Sequence, residues 1–238
     1  MRILITNDDG LQASQLLPLI KWWQRYGEVT VFVPKVEQSG KSHSFQIREP
    51  FEVKQVELEP GLTAWSVDST PADCVRIAVL GMKMEFDLVV SGVNRGFNMG
   101  ADVMYSGTVA AASEAVNLGM KALALSTNPE NYDHSTDALD TVWAYFQEKD
   151  LFRYNRLYNV NMPASPKGIR ITRQGGPYYS DDFPHIGNDL YKPMGKPIWE
   201  DSGDETLDTD ATMAGYITIT PMTIDRTSRE VFRLLQNR

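Results

Sequence analysis

The chain has a single cysteine, Cys74, among 238 residues. It can form no internal disulfide and no cysteine-rich metal site. Such usage fits a reducing compartment. Histidine is almost as scarce. His43, His134 and His185 lie far apart, and none has the spacing of a histidine-based metal motif. Basic residues are outnumbered: Lys and Arg total 23 against 31 Asp and Glu, for a formal net charge of −8. The chain therefore lacks the electropositive footprint of a nucleic-acid polymer binder. Single nucleotides stay open, because they need only a local pocket. No apolar run approaches the roughly 20 residues of a membrane span. Met1–Thr6 runs straight into Asn7-Asp8-Asp9-Gly10, without the long apolar stretch and small-residue site of a secretory leader. Together these absences point to the cytoplasm and away from membranes.

What is present suffices for one sizeable domain, or one domain with an appendage: 42% of residues are hydrophobic. Strand and helix signals alternate through the first half. Arg2–Thr6 is a short apolar strand. Leu16, Leu19, Ile20 and Trp23 then recur at helical spacing within a helix over 12–26, and Gly27 is expected to close it. Val29–Val33 predicts a second strand. Phe45–Ile47 and Phe51–Val56 suggest a hairpin around Glu49-Pro50, and Ala64–Val67 a further strand. Thr70-Pro71-Ala72-Asp73 carries three helix-start signals: an N-cap threonine, a proline at the first position and an acid at the third. Asp87–Ser91 reads as a buried strand. Thr108–Leu118 reads as a helix, Lys121–Ser126 as a strand, 134–148 as an amphipathic helix and Tyr158–Asn161 as a strand. This alternation predicts an α/β fold, a doubly wound, mostly parallel sheet covered on both faces. Residues 164–213 are rich in Gly, Pro, Asp and Tyr and lack helical periodicity, with strands expected only at Ile169–Thr172 and Tyr216–Thr220. That length is unusual inside a compact domain. The expected organisation is a core over 1–163, rejoined at about 214–238, with 164–213 as an arm that packs on another subunit.

Ligands of open α/β sheets bind beyond the carboxyl ends of the strands. Asp8 and Asp9 stand at the first such end. Adjacent carboxylates repel unless a cation or protons intervene, and hard divalent cations favour oxygen ligands. An Asx-turn with a capping aspartate is the competing reading; the place after the first strand favours the metal. The segment 91–102 spaces Gly92, Gly96 and Gly100 four residues apart, with Asn94 and Asn98 between them. It is neither a dinucleotide fingerprint nor a P-loop. Ser106 and Thr108 open a helix whose free N–H groups make a phosphate cradle, although a plain N-cap explains them equally well. His43 stands close to Ser39 and has a surface role or a substrate contact open to it. Cys74 is expected to be buried. Asp204, Glu205, Asp208 and Asp210 read as a solvated acidic face. No Gly-x-Ser-x-Gly elbow is present.

The segments ITNDDG (5–10), QSG (38–40), STPADCVRIAV (69–79), DLVVSGVNRGFNMGADVMYSGTVAAASEA (87–115), NVNMP (159–163) and TDATMAGYITITP (209–221) resemble the stationary-phase survival protein SurE family of metal-dependent 5′-nucleotidases. The stretch from Ser91 to Thr108 is the most specific. The resemblance implies one divalent metal per subunit, Mg²⁺ or Mn²⁺ with Ca²⁺ a further option, held by Asp8, Asp9, Ser39 and Asn94. It implies catalytic roles for Asp8, Asp9 and Asn94, and a phosphate site at Asn98, Ser106, Gly107 and Thr108. The implied reaction releases nucleoside and phosphate from nucleoside monophosphates, 5′ and also 3′, with short polyphosphate a further substrate. The implied fold is Rossmann-like, with a C-terminal extension exchanged in a homodimer or homotetramer. A phosphatase with an aspartate nucleophile after its first strand would need Asp-x-Asp rather than Asp-Asp, so metal-activated water is the expected attacking group. The 35–45 loop departs from the family pattern, as does Ser14 in place of a frequent glycine. Three rivals remain: a phosphatase for a non-nucleotide ester, a nucleotide-binding regulator without turnover, and a structural-interaction protein whose 164–220 arm is the working part.

Overall fold

The computed structural model describes residues 1–236. Its centre is a nine-stranded sheet. β1 (Arg2–Thr6) leads through α1 (Leu16–Trp23) to β2 (Glu28–Pro34). β3 (Val53–Glu59) and β4 (Leu62–Val67) form an antiparallel hairpin. α2 (Pro71–Arg76) leads to β5 (Leu88–Arg95), α3 (Gly107–Asn117) to β6 (Lys121–Thr127), and α4 (Leu139–Glu148) to β7 (Leu157–Met162). β8 (Ile169–Ile171) starts the C-terminal region. It continues through the short strands β9 (Tyr179–Asp182), β10 (His185–Gly187), β11 (Leu190–Tyr191) and β12 (Met194–Pro197). Then come α5 (Asp208–Met213), β13 (Ile217–Met222) and α6 (Arg229–Gln236). Residues 237 and 238, the end of the expected 214–238 segment, lie outside the described residues.

The strand order is β3-β4-β2-β1-β5-β6-β7-β13-β8. β4, β2, β1, β5, β6 and β7 are parallel neighbours, while β3 runs antiparallel to β4 and β13 antiparallel to β7. The chain moves one way from β1 to β2 and the other way from β1 to β5. The gap between β1 and β5 is thus the switch point of the sheet, where doubly wound folds bind ligands.

Period-two alternation sorts side chains onto the two faces. Ile3, Ile5, Val31, Val33, Leu123 and Leu125 pack with α1 and α4. Leu4, Phe32, Val89, Ala122 and Ala124 pack with α2 and α3. Small residues on α3, Ala111, Ala112 and Ala115, are fully buried and let that helix lie close to the sheet. Thr70 caps α2 as its sequence predicts, its Oγ1 accepting from the Asp73 N–H at 3.2 Å. Cys74 is buried, and its thiol is pushed well up by burial.

Four expectations are corrected. The hairpin is not at Glu49-Pro50; residues 45–47 form no strand, and the turn falls between β3 and β4 at Gly61. α1 is confined to Leu16–Trp23. Gly27 does not end it in a left-handed conformation; a Cβ there would sit 2.0 Å from the Met1 carbonyl oxygen, so close packing demands the glycine. The arm also carries more structure than its composition suggests, with two small two-stranded sheets and a short helix. Lastly, Asp208 and Asp210 are no solvated face. Both are buried. Asp208 accepts from the Gly100 N–H through both oxygens at 3.1 Å and from the Gly175 N–H at 2.8 Å, tying the arm to the segment after β5. Asp210 gathers the Trp199 Nε1–H and the Ser202 N–H and hydroxyl.

Asp208→Ala would strip partners from two backbone N–H groups. Urea unfolding should show a loss of about 2–4 kcal/mol, the range for orphaned buried donors of a charged acceptor. A loss under about 0.5 kcal/mol would mean that water replaces the carboxylate and that the tie is not structural.

Candidate active site

The site begins at the end of β1. Asn7 makes the turn that the sequence left open to the aspartates. Its Oδ1 accepts from the Gly10 N–H at 3.0 Å and its Nδ2 donates to the Gly10 carbonyl at 3.1 Å. α1 starts later, at a Gln15 cap with no side-chain bond. Neither Asp8 nor Asp9 is therefore spent on turn or cap, and both are available for chemistry.

Asp8 is buried and Asp9 partly so. Burial pushes the Asp8 carboxyl above the usual carboxylate range, against the Thr108 hydrogen bonds that lower it. Asp9 is pushed up to about 6 by burial and by the neighbouring Asp8 charge. The start of α3 holds Asp8: the Thr108 N–H donates to its Oδ2 at 3.2 Å, and the Thr108 hydroxyl donates to its Oδ1. Asp9 Oδ2 accepts from the Arg95 N–H at 3.1 Å and the Tyr132 hydroxyl at 3.3 Å. Among the described residues, no Lys, Arg or His forms an ion pair with either aspartate.

The remaining expected residues reach this point from three elements. Register pairs Thr6 of β1 with Ser91 of β5, which sets Asn94 and Arg95 alongside Asp9. Ser39 and Asp9 line one cavity of about 490 Å³ with Glu37, Arg95 and Tyr132. The Ser39 loop is anchored where the Gln38 N–H donates to the Asp8 carbonyl at 2.7 Å. Ser39 Oγ donates to Glu37 at 2.7 Å, and Asn94 Nδ2 donates to the Gly96 carbonyl at 2.7 Å. Asn94 Oδ1 and Asp9 Oδ1 accept nothing from the described residues.

At the proposed phosphate cradle, Ser106 Oγ accepts from the Val109 N–H at 3.1 Å as an N-cap. Thr108 is committed to Asp8, while the Gly107 N–H has no partner among the described residues. Gly107 has a packing reason as well: a Cβ there would lie 3.0 Å from both Cβ and Oδ2 of Asp8. Asn98 sits one strand further along. Its Nδ2 donates to Ser126 Oγ at 2.8 Å, its N–H donates to Asn161 Oδ1, and its carbonyl accepts from Asn159 and Asn161.

Sequence reasoning did not single out Tyr132, Glu37 or Ser126, and it gave Asn159 and Asn161 no role. It also missed a clamp behind the cradle. His43 Nε2 and Glu114 Oε2 are 2.9 Å apart, and Arg76 Nη1 donates to Glu114 Oε1 at 2.8 Å. This joins the Ser39 loop to α3 and α2, so His43 is structural rather than free on the surface.

The donor set suits a divalent cation. Asp9 and the Ser39 hydroxyl line one cavity, and Asp8 and Asn94 stand at the adjoining strand ends. Asp9 Oδ1 and Asn94 Oδ1 are unpartnered among the described residues, and Arg95, although it lines the cavity, forms no ion pair with either aspartate. No group of three or more His, Cys, Asp or Glu able to hold a metal occurs among the described residues. Any cation here would therefore depend on neutral oxygen ligands beside the aspartates, as hard cations accept.

An open α/β sheet with paired carboxylates at its switch point and a helix N-terminus facing them defines a class: an anion-handling α/β protein with an acidic, oxygen-lined centre. The particular family follows from comparison. The family model "Survival protein SurE" matches residues 3–181, and the chain belongs to that family. It is 34% identical to a protein named 5′-nucleotidase SurE from Thermosipho melanesiensis over 251 residues, covering all of this chain and 97% of the relative. It is 39% identical to the protein of the same name from Gemmatimonas aurantiaca, covering 97% and 96%. The crystal structure of the SurE protein from Aquifex aeolicus superposes with a TM-score of 0.77 at 29% identity, covering all of this chain and 99% of that one. Among the described residues no helix is long and apolar enough to cross a membrane.

Two outcomes test this geometry. Gly107→Ala keeps a good helix former in α3 but forces Asp8 aside. Phosphatase turnover should fall roughly 10- to 100-fold with the fold intact by circular dichroism, since displacements of about 1 Å cost that much; an unchanged rate would mean that Asp8 need not be held there. The His43 hydrogen bond, with Arg76 assisting and burial opposing, holds Glu114 below the ordinary glutamate value. Its contribution to stability is then complete above that ordinary value, about 4.3, and is lost as pH falls through the lowered one. Urea midpoints recorded from pH 6 to 3 should drop more steeply for the wild type than for Glu114→Gln. Parallel curves would contradict the clamp.

Proposed function

We propose that this chain is a divalent-metal-dependent nucleoside monophosphate phosphohydrolase, a 5′-nucleotidase that releases nucleoside and phosphate. The carrying observation is the adjacent carboxylates of buried Asp8 and half-buried Asp9 at the β1/β5 switch point, with no ion-paired Lys, Arg or His among the described residues and directly beneath the start of α3. A cation ligated by oxygens neutralises such a pair. The names of the relatives supply the substrate class.

Asp8, Asp9, Ser39 and Asn94 would hold one cation, Mg²⁺ or Mn²⁺, with Ca²⁺ able to fill the same donors. When bound, it supplies charge neutralisation at a phosphate oxygen and acidifies water. Thr108 fixes Asp8, while Tyr132 and the Arg95 N–H fix Asp9, so both carboxylates are oriented before substrate arrives. Because Asp8 gives both oxygens to Thr108, it is not presented as an in-line nucleophile, and water is the attacking group we assign. The Gly107 N–H, the Ser106 hydroxyl and the Asn98 side chain are the groups assigned to the phosphate oxygens, a fixed array of donors. Asp8, Asp9 and Asn94 are the catalytic assignments. Activity on 3′-nucleotides and short polyphosphate belongs to the same reading, since the phosphate site does not depend on what the ester carries.

The arm over 164–213 is assigned to oligomerisation by exchange in a homodimer or homotetramer. Its exposed Phe183, Ile186, Leu190, Tyr191 and Met194 are costly in water unless covered. The single buried cysteine fits a cytoplasmic setting.

The test is phosphate release from 5′- and 3′-nucleoside monophosphates, sugar phosphates and short polyphosphate. It is run with Mg²⁺, with Mn²⁺ and with EDTA, on wild type and Asp9→Ala. Metal-dependent release from nucleotides is expected, and it should fall by more than about 100-fold in the variant, beyond the range of outer-sphere changes. Light scattering on the same samples should give two or four copies; a monomer would remove the arm assignment. Release only from sugar phosphates would move the substrate class. Nucleotide binding with no release under any metal would leave a regulator.

A further inference from the structure

A second cavity, of about 400 Å³, lies beside the acidic one, and Pro129 lines both. Its volume suits a small organic ligand. The segment after β5 contributes Phe97, Met99 and Asp102, and the arm contributes Tyr178 and Tyr179. No Lys, Arg or His lines it, whereas Asp102 and Glu130 do. A phosphate group seated inside this cavity would meet carboxylates there without a cation to offset them. A neutral ring with an apolar face would meet aromatic walls.

The polar group at the wall is specific. Asp102 Oδ2 accepts from the Tyr178 N–H at 3.1 Å and the Tyr179 N–H at 2.9 Å. Those bonds fix the carboxylate and hold the two tyrosines in place. Asp102 Oδ1 accepts nothing from the described residues. A fixed carboxylate oxygen at an apolar wall calls for an N–H or O–H from whatever fills the space.

We propose that this cavity seats the nucleoside, and that Asp102 selects bases carrying an exocyclic amine, adenine over hypoxanthine. The proposal rests on the nucleotidase reading and adds which part of the substrate is recognised, and by what. Phe97 and Tyr179 offer faces for base stacking. Asp102 Oδ1 accepts a hydrogen bond from the amine of adenine. Hypoxanthine carries a carbonyl oxygen at that position, and two acceptors would then face each other, the kind of mismatch that discriminates strongly. The arm thus takes part in specificity through two aromatic residues.

The experiment is calorimetric titration of the full-length protein with adenosine and with inosine. Neither carries a phosphate, so the readout does not depend on turnover. Wild type should bind adenosine about tenfold or more tighter than inosine, the factor of one well-made hydrogen bond to a charged group. Asp102→Asn keeps an acceptor for the tyrosine N–H groups but can turn an NH₂ donor to the cavity, so the ratio should collapse or invert. Phe97→Ala and Tyr179→Ala should weaken both nucleosides by about fivefold or more while preserving their ratio. These two keep the proposal testable should Asp102→Asn fail to fold. Equal binding of the two nucleosides by wild type, no binding of either, or an unchanged ratio in a folded Asp102→Asn protein would overturn it. The two readings also fail separately. AMP and IMP hydrolysed with equal kcat/KM would remove base selection and leave the nucleotidase standing. Selective adenosine binding without hydrolysis of any nucleotide would remove the nucleotidase and leave the cavity assignment.

Discussion

Two consecutive carboxylates, one buried and one half-buried, are the constraint around which this molecule is arranged. Burial and mutual repulsion both oppose their charge, and Asp9 is pushed up to about 6 as a result. Much of the surrounding structure answers that cost without supplying a protein cation. Thr108 turns two donors to Asp8, and the Arg95 N–H and Tyr132 turn two to Asp9. Asn7 takes over the turn, so neither aspartate is consumed by it. Gly107 has no side chain because Asp8 occupies the space. The parallel pairing of β1 with β5 brings these groups together from residues nearly a hundred positions apart.

Much of the fold was legible in sequence because its signals are local. The alternation of Ile3, Leu4 and Ile5 sorts correctly onto two faces, and the Thr70-Pro71 start of α2 lies where its chemistry requires. Misreadings arose where tertiary contact overrides local preference. Gly27 looks like a helix stop but is small because Met1 lies against it. Asp208 and Asp210 look solvated but satisfy buried N–H groups from distant segments. The arm looks featureless because its strands are only two to four residues long and exposed, too short for a hydrophobic alternation to show. The site divides in the same way. Asp8 and Asp9 were legible from their place after the first strand. Tyr132 and Ser126 were not, since each acts across a long sequence separation without a local motif, and the Asn159/Asn161 pair, though inside the NVNMP segment, gained a role only from its contact with Asn98. His43 could be noticed but not assigned, because its partner, Glu114, lies 71 residues away.

The two neighbouring cavities divide the work between charge and shape. One is lined by Asp9, Glu37, Asp133, Ser39, Tyr132 and Arg95, the polar setting that the proposed function assigns to an ion and a phosphate group. The other is lined mainly by aromatic and apolar side chains, with Asp102 held in a fixed orientation among its few acceptors. Asp102 stands just ahead of the Ser106–Thr108 segment, so the wall of the apolar cavity and the start of α3 belong to one short stretch of chain.

Gly100 gives this arrangement a bearing on descent. A Cβ at Gly100 would sit 2.0 Å from the Gly176 carbonyl oxygen, and the Ala101 N–H donates to that same oxygen at 3.0 Å. The core and the arm are therefore interlocked through backbone, where no side-chain repacking can relieve a misfit. A chimera that grafts a homologue's arm after residue 163 would inherit one half of this joint without the other. The boundary that composition draws at 164 is thus not a free seam: residue 100 must stay glycine wherever the backbone at 176 follows this path.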